Sequence, residues 1–376
     1  MGVELRPFGV ACNLACTYCY QNPMRAAGNM RQTYSMEKMK AALDRAASPF
    51  ILFGGEPLLM RMEELEEIFS YGLERHGSNG IQTNGALIRA EHIDLFRRYK
   101  VNVGVSIDGP GELNDVRVDR KRSRTRETTA RIEANIARLC REYEPPGLIV
   151  TLHRGNASAE RLPTMYQWMR DLDALGIRSV RLHVLEVDDP AIGDELVLSA
   201  RENVEALLGF ARLQDELKGV RFDVIEEMKQ LLLGDDKQAA CVWHACDPYS
   251  TKAVRGVEGN GQSSNCGRTN KDGVDYIPAD RNGYERTLAL YHTAEADGGC
   301  QGCRFFMMCK GQCPGTAIDG DWRNRSAHCS IWKYLFATLE NRLIRDGQVP
   351  LSIHPARRER EADAVARWSA AAAVEV

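Results

Sequence analysis

Short β-rich runs alternate with amphipathic helical stretches across the first 217 residues, and that beat constrains the fold more than any other feature. Strands are predicted at 3–8, 50–53, 81–83, 101–107, 147–153 and 179–185. Apolar residues recur at helical spacing over 36–47, 62–76, 91–99, 128–142, 159–175 and 200–217. A strand, a helix and another strand, repeated, build a parallel sheet with helices outside it. Six such units predict an α/β fold, a partial (β/α)6 barrel that stays open. Chemistry in such barrels sits on the loops that follow the C-terminal strand ends.

After about residue 235 the texture changes. Glycine, asparagine and cysteine rise, and long helical stretches vanish until residue 330. The chain is therefore expected to divide into a barrel over 1–235, a small cysteine-rich domain over 236–345, and a tail over 346–376. From about residue 357 the tail is charged and alanine-rich, which predicts a surface helix or a frayed end. A glycine-rich domain without apolar periodicity needs another source of stability, and metal cross-links supply one. A net charge of −3 gives no electrostatic reason to expect nucleic acid or an anionic membrane as partner. No apolar run approaches the ~20 residues of a membrane span. The opening MGVELRPFG lacks the basic-then-apolar layout of a secretion signal. A cytoplasmic location follows as the expectation.

The chain has twelve cysteines. Cytosolic thiols stay reduced, and the spacing suits metal better than disulfides. Cys12, Cys16 and Cys19 form CNLACTYC on the loop after the first strand. Three thiolates on one short loop hold three irons of a four-iron cluster and leave the fourth open to a small molecule. A closed electron-transfer cluster needs a fourth cysteine. The competing readings are a zinc site short of one ligand, or simple burial. FGGEP ends the second strand, where Gly54 and Gly55 let backbone carbonyls approach a ligand and Glu56 adds a carboxylate. QTNG (82–85) and SIDGP (106–110) end the third and fourth strands.

CNLACTYCY resembles the signature loop of the radical S-adenosylmethionine superfamily. The resemblance implies that the open iron chelates the amino and carboxylate groups of S-adenosylmethionine. An electron then cleaves the sulfonium to methionine and a 5′-deoxyadenosyl radical, which abstracts a substrate hydrogen. It implies cofactor contacts from Tyr18 near the adenine, and from Gly54, Gly55 and Glu56 at the methionine ammonium group. Asn84, Ser106 and Asp108 match positions that meet the ribose and carboxylate. Arg117 and Arg120 both flank the place of an arginine that grips the carboxylate. Downstream, Cys246, Gly261 and Cys266 read Cx14Gx4C, Cys300, Cys303, Cys309 and Cys313 read Cx2Cx5Cx3C, and Cys329 follows after fifteen residues. This resembles the seven-cysteine SPASM extension, with Cys241 as an eighth. By that resemblance Cys241, Cys246, Cys266 and Cys313 hold one auxiliary [4Fe-4S] cluster, and Cys300, Cys303, Cys309 and Cys329 hold another. Structural zinc is the competing reading. Cys140 is left over and is expected to be a core residue.

SPASM-bearing relatives mostly oxidise peptides or proteins, so the leading expectation is a maturase that cross-links or oxidises a ribosomally made peptide. A low-potential electron donor such as ferredoxin or flavodoxin is implied. With eleven residues before Cys12, a peptide-binding module is not expected there, so the barrel mouth or a separate recognition protein would hold the peptide. Sulfatase-maturing members place an aspartate after the cysteine matching Cys266. Here that residue is Gly267, which argues against formylglycine formation. Asp247, Tyr249, Asp272 and Asp275 are candidate replacement bases. A dehydrogenase or epimerase of small molecules is a further alternative, disfavoured by the full eight-cysteine set. The basic run 117–126 reads as a solvated loop before it reads as a docking site for an acidic peptide. Met24, Met30, Met36 and Met39 read as adaptable packing around the first cysteine loop. Phe305 and Phe306 are expected to shield a cluster loop from water.

Overall fold

The computed structural model describes residues 2–28, 33–187, 192–247, 255–264, 266–268 and 284–373. These fall into two compact units, the described residues of 1–223 with 255–275, and those of 224–254 with 276–376. The division expected at residue 235 therefore falls slightly earlier. Residues 255–268 return to the first unit because they extend its sheet.

The first unit carries six consecutive parallel strands: β1 (Val3–Arg6), β2 (Phe50–Leu52), β3 (Asn79–Thr83), β4 (Val101–Ser106), β5 (Gly147–Leu152) and β6 (Ser179–Val184). β7 (Arg221–Phe222) follows β6 at one edge. At the other edge β8 (Arg255–Glu258) pairs parallel to β1, and β9 (Ser263–Ser264) turns back antiparallel. The nine strands run in the order β7-β6-β5-β4-β3-β2-β1-β8-β9, so the sheet does not close on itself. The six predicted strands are present, and three short ones are additional. β8 lies in the glycine-rich stretch, where no apolar alternation announces it.

Alternation along each strand decides which side chains meet the helices and which line the barrel. Val3, Leu5, Leu52, Ile81, Val101, Val105, Leu148, Val150, Leu152 and Val180 are fully buried. The intervening residues face inward, in register: Gln82 beside Gly104, Ser106 beside Ile149, and Thr151 beside His183. Helices Met36–Ala46, Met62–His76, Ala90–Arg98, Thr125–Glu142, Leu162–Ala174 and Ala200–Leu213 follow the strands. Their ends are written in sequence. Ser35 accepts from the Lys38 amide, Gly77 takes the left-handed C-terminal position, and Ser199 and Glu202 form a capping box. Cys140 is half-buried on Thr125–Glu142 rather than in the core. Met24 and Met39 are core residues, whereas Met30 lies outside the described residues.

The second unit is built around aromatic residues. Trp243 is buried, packs edge-on against Trp332 and Phe336, and donates its indole N–H to Glu227 at 2.8 Å. Trp332 and Phe336 come from the long helix Cys329–Arg345, and Phe305 stacks on Phe336 at 5.5 Å. The tail is not frayed: Arg357–Ala373 is a helix, and its Trp368 stacks on Tyr284 and meets Phe306 edge-on. Trp368→Ala is expected to destabilise this unit by about 2 kcal/mol, below the 3–5 kcal/mol of a fully buried tryptophan because Trp368 is half-exposed. Chemical denaturation followed by fluorescence checks this. An unchanged midpoint would mean that the helix contributes nothing.

Candidate active site

The loop after β1 is pinned from two sides. On one side, the amides of Ala15 and Thr17 donate to the carbonyls of Val118 and Val116, at 2.7 and 2.9 Å, and Leu14 bridges to Asp119. On the other, the amides of Gly55 and Glu56 donate to Gly9 and Ala11, both at 2.9 Å. That closeness requires glycine. A Cβ on Gly54, whose φ is +116°, would sit 2.6 Å from the Gly9 oxygen, and one on Gly55 would sit 1.8 Å from the Ala11 oxygen. The two glycines therefore serve first to seat the cysteine loop.

Cys12, Cys16 and Cys19 all line one cavity of about 230 Å³ at the C-terminal ends of the strands. Gly54, Gly55, Asn84 and Ser106 share its wall, as do Gln82, Thr151 and His183 from the inward rows. Burial raises the Cys12 thiol and pushes Cys16 up to about 12, with the neighbouring sulfurs adding to the effect. Cys12 and Cys16 so placed resist ionising unless a cation compensates them, which suits a metal cluster. Arg25 supplies part of that charge. Its Nε donates to the Val10 carbonyl at 2.7 Å, and it lines the same cavity as Cys19. The sequence reading missed Arg25, since a lone arginine six residues past a cysteine carries no signal.

The cofactor candidates divide in two. Tyr18, Gly54, Gly55, Asn84 and Ser106 face the cavity. Asn84 turns its Nδ2 toward Cys12 Sγ at 3.7 Å and Asn13 Oδ1 at 2.7 Å, and Ser106 accepts from Gln82 at 2.9 Å. Glu56 and Asp108 stand behind the wall. Glu56 is buried and accepts from the Leu58 amide, the Thr83 hydroxyl and the Asn84 amide, at 3.0, 2.7 and 2.8 Å. Both of its oxygens are used in tying the β2 and β3 loops together. Asp108, fully buried, accepts from the Thr151 amide at 2.9 Å and from the Tyr18 hydroxyl at 2.6 Å. Both carboxylates, singled out in the sequence as cofactor candidates, are engaged by the chain's own amides and hydroxyls. Of the two candidate arginines, Arg117 lines the cavity and donates to the Tyr18 hydroxyl at 2.7 Å, whereas Arg120 is exposed.

Cys266 opens onto this same cavity, followed by Gly267 and by Arg268, which is ion-paired with Glu186. Asp247 is buried in the second unit. Tyr249, Asp272 and Asp275 lie outside the described residues. In the second unit Cys300, Cys303, Cys309 and Cys329 line one cavity, walled by Phe305, Phe306, Trp332 and Phe336. Burial and the neighbouring sulfurs push Cys300 up to about 12, and Cys309 is also raised. Cys241, Cys246 and Cys313 belong to the same unit, whereas Cys266, grouped with them by resemblance, belongs to the first. Cys12, Cys16, Cys19, Cys140, Cys300, Cys303, Cys309 and Cys329 form no disulfide. Among the described residues, no three His, Cys, Asp or Glu side chains converge on a point fit for one metal ion. Cys12, Cys16 and Cys19 line one cavity, and Cys300, Cys303, Cys309 and Cys329 line another. Among the described residues no helix is long and apolar enough to cross a membrane.

A family model described as the radical SAM superfamily matches residues 7–169. The serine-type anaerobic sulfatase-maturating enzyme of Bacteroides thetaiotaomicron is 36% identical over 126 residues, 30% of this chain and 30% of that protein. The serine-type enzyme of Klebsiella aerogenes is 29% identical over 209 residues, 53% of this chain and 50% of that one. The chain thus spans half or less of these curated relatives. Among solved structures, native anSMEcpe with bound AdoMet and Kp18Cys peptide superposes with a TM-score of 0.71 at 18% identity, over 92% of this chain and 98% of that one. Streptococcus suis SuiB bound to precursor peptide SuiA gives 0.55 at 14%, over 87% and 75%. At such identities the likeness is one of fold.

Proposed function

We propose that this chain, whose residues 7–169 match the radical SAM superfamily model, is a SPASM-type maturase that oxidises or cross-links a side chain of a ribosomally made peptide. The observation that carries the reading is the single cavity shared by Cys12, Cys16, Cys19 and the ends of β2, β3 and β4. Cys12, Cys16 and Cys19 would hold the catalytic cluster. Bound there with S-adenosylmethionine, it supplies the electron that cleaves the sulfonium and so the 5′-deoxyadenosyl radical that takes a substrate hydrogen.

The chain's own residues prepare that chemistry. Gly54 and Gly55 bring backbone to the cavity, Asn84 orients beside Cys12, and Ser106 presents a hydroxyl. Tyr18 is locked between Arg117 and Asp108, which fixes its ring at the cavity wall. Arg25 offsets the thiolate charge. In the second unit Cys300, Cys303, Cys309 and Cys329 would hold one auxiliary cluster, shielded from water by Phe305, Phe306 and Phe336. Cys241, Cys246 and Cys313 of the same unit are proposed ligands of the other.

A peptide substrate is supported by the peptides carried by anSMEcpe and SuiB in their named structures. Net oxidation requires a second electron to leave the substrate, and auxiliary clusters offer an acceptor. Formylglycine formation is the less favoured product, because Gly267 follows Cys266 and Arg268 is tied to Glu186. A low-potential donor such as ferredoxin or flavodoxin, and a reducing cytoplasm suited to a cysteine-rich chain, complete the proposal.

Anaerobic reconstitution tests it. The chain is expected to bind about twelve irons with matching sulfide, to form 5′-deoxyadenosine from S-adenosylmethionine, and to remove hydrogen from a candidate peptide as read by mass. Zinc without sulfide would end the reading.

A further inference from the structure

Arg286 stands at the start of helix Glu285–His292 and is one of the largest fully buried side chains. Its Nε donates to the Trp322 carbonyl at 2.6 Å. Nη1 donates to Cys246 and Gln312 at 3.2 and 3.1 Å, and Nη2 to Gly311 and Asn324 at 3.5 and 2.8 Å. Every acceptor is a backbone carbonyl, and five N–H groups meet five oxygens. Hydrogen bonding is therefore complete, but the charge is not: no carboxylate stands at ion-pair distance among the described residues. A buried cation without an anion is costly. The guanidinium bonds the Cys246 carbonyl and the Gln312 carbonyl one residue before Cys313, and Leu290 on the same helix accepts from the Cys300 amide at 2.7 Å. Cys246 and Cys313 belong to one proposed auxiliary ligand set and Cys300 to the other.

We propose that Arg286 is the fixed positive charge shared by the two auxiliary thiolate sets, and that it raises the reduction potential of the clusters they hold. This rests on the reading of those cysteines as cluster ligands. An added electron is stabilised by a cation held in a low-dielectric interior, where no water screens it. Because the guanidinium cannot deprotonate in a protein, the effect is independent of pH. The five hydrogen bonds keep the charge in place and tie the loops carrying Cys246, Gly311 and Gln312 to one helix.

The experiment is an EPR-monitored potentiometric titration of the reconstituted full chain, with iron and sulfide counted in the same samples. In R286Q the reduced-to-oxidised ratio of the auxiliary clusters at a fixed applied potential is expected to fall about tenfold, ~59 mV for one electron. R286K keeps the charge while losing most of the hydrogen bonds, and should stay with the wild type. Unshifted potentials in R286Q, or equal shifts in both variants, would overturn the proposal. Where R286Q loses its auxiliary irons, retention in R286K supports the role of charge, and loss in both overturns it in favour of the hydrogen bonds. A wild-type chain with only about four irons would instead bring down the cluster reading itself.

Discussion

Cys16→Ala is expected to abolish 5′-deoxyadenosine formation and to lower the iron content from about twelve to about eight per chain. Of the three thiols on the first loop, Cys16 is acted on by both others, with Arg117 opposing their effect. Removing it leaves two sulfurs, too few to hold a cluster whose fourth iron must stay open. The backbone around it should survive, because Ala15 and Thr17 remain bonded to Val118 and Val116 and the Asn22 side-chain Nδ2 still reaches the residue-16 carbonyl at 3.0 Å. The auxiliary sets lie on other segments and should keep their iron. Circular dichroism unchanged from wild type, together with lost cofactor cleavage, is the expected pair of results. Undiminished cleavage would remove Cys12, Cys16 and Cys19 from the catalytic role.

The sequence reveals the six main strands and the helices between them because each carries a long periodic signal. Met62–His76 is read to the residue, since its apolar stripe is uninterrupted and Gly77 stops it. β8 and β9 are hidden because they hold four and two residues in a glycine-rich stretch, and the pairing of β8 with β1 is a tertiary event. The cysteines are legible because metal chemistry needs particular spacings. What spacing cannot show is the direction in which a side chain turns. Glu56 and Asp108 sit on motifs that suggest contact with a ligand, yet both turn inward to backbone amides and hydroxyls. A buried carboxylate is stable only when its oxygens are fully bonded, and here the strand-end loops supply the donors. Arg25, His183 and the Arg268–Glu186 pair were missed for the complementary reason, since the fold alone brings them to the cavity.

Those inward carboxylates recast the role of the FGGEP loop. Glu56 ties it to β3, and the amides of Gly55 and Glu56 tie it to residues 9–11, one position before Cys12. The loop is thus the clamp that sets the height of the first cysteine. This makes Gly55→Ala the second large expected effect. The new Cβ would lie 1.8 Å from the Ala11 oxygen and 2.4 Å from its carbonyl carbon, both backbone atoms that move only if the cysteine loop moves. Such overpacking is expected to cost about 3 kcal/mol or more, and 5′-deoxyadenosine formation should fall to background as Cys12 leaves its place. Gly147→Ala is the control, because a Cβ there meets nothing within 4 Å and the backbone is not left-handed. It should be neutral or stabilising by about 0.5–1 kcal/mol. Denaturant midpoints and cofactor cleavage, measured on both variants, decide the matter. If Gly55→Ala matches Gly147→Ala in both, the clamp does not exist and the glycines serve the ligand alone.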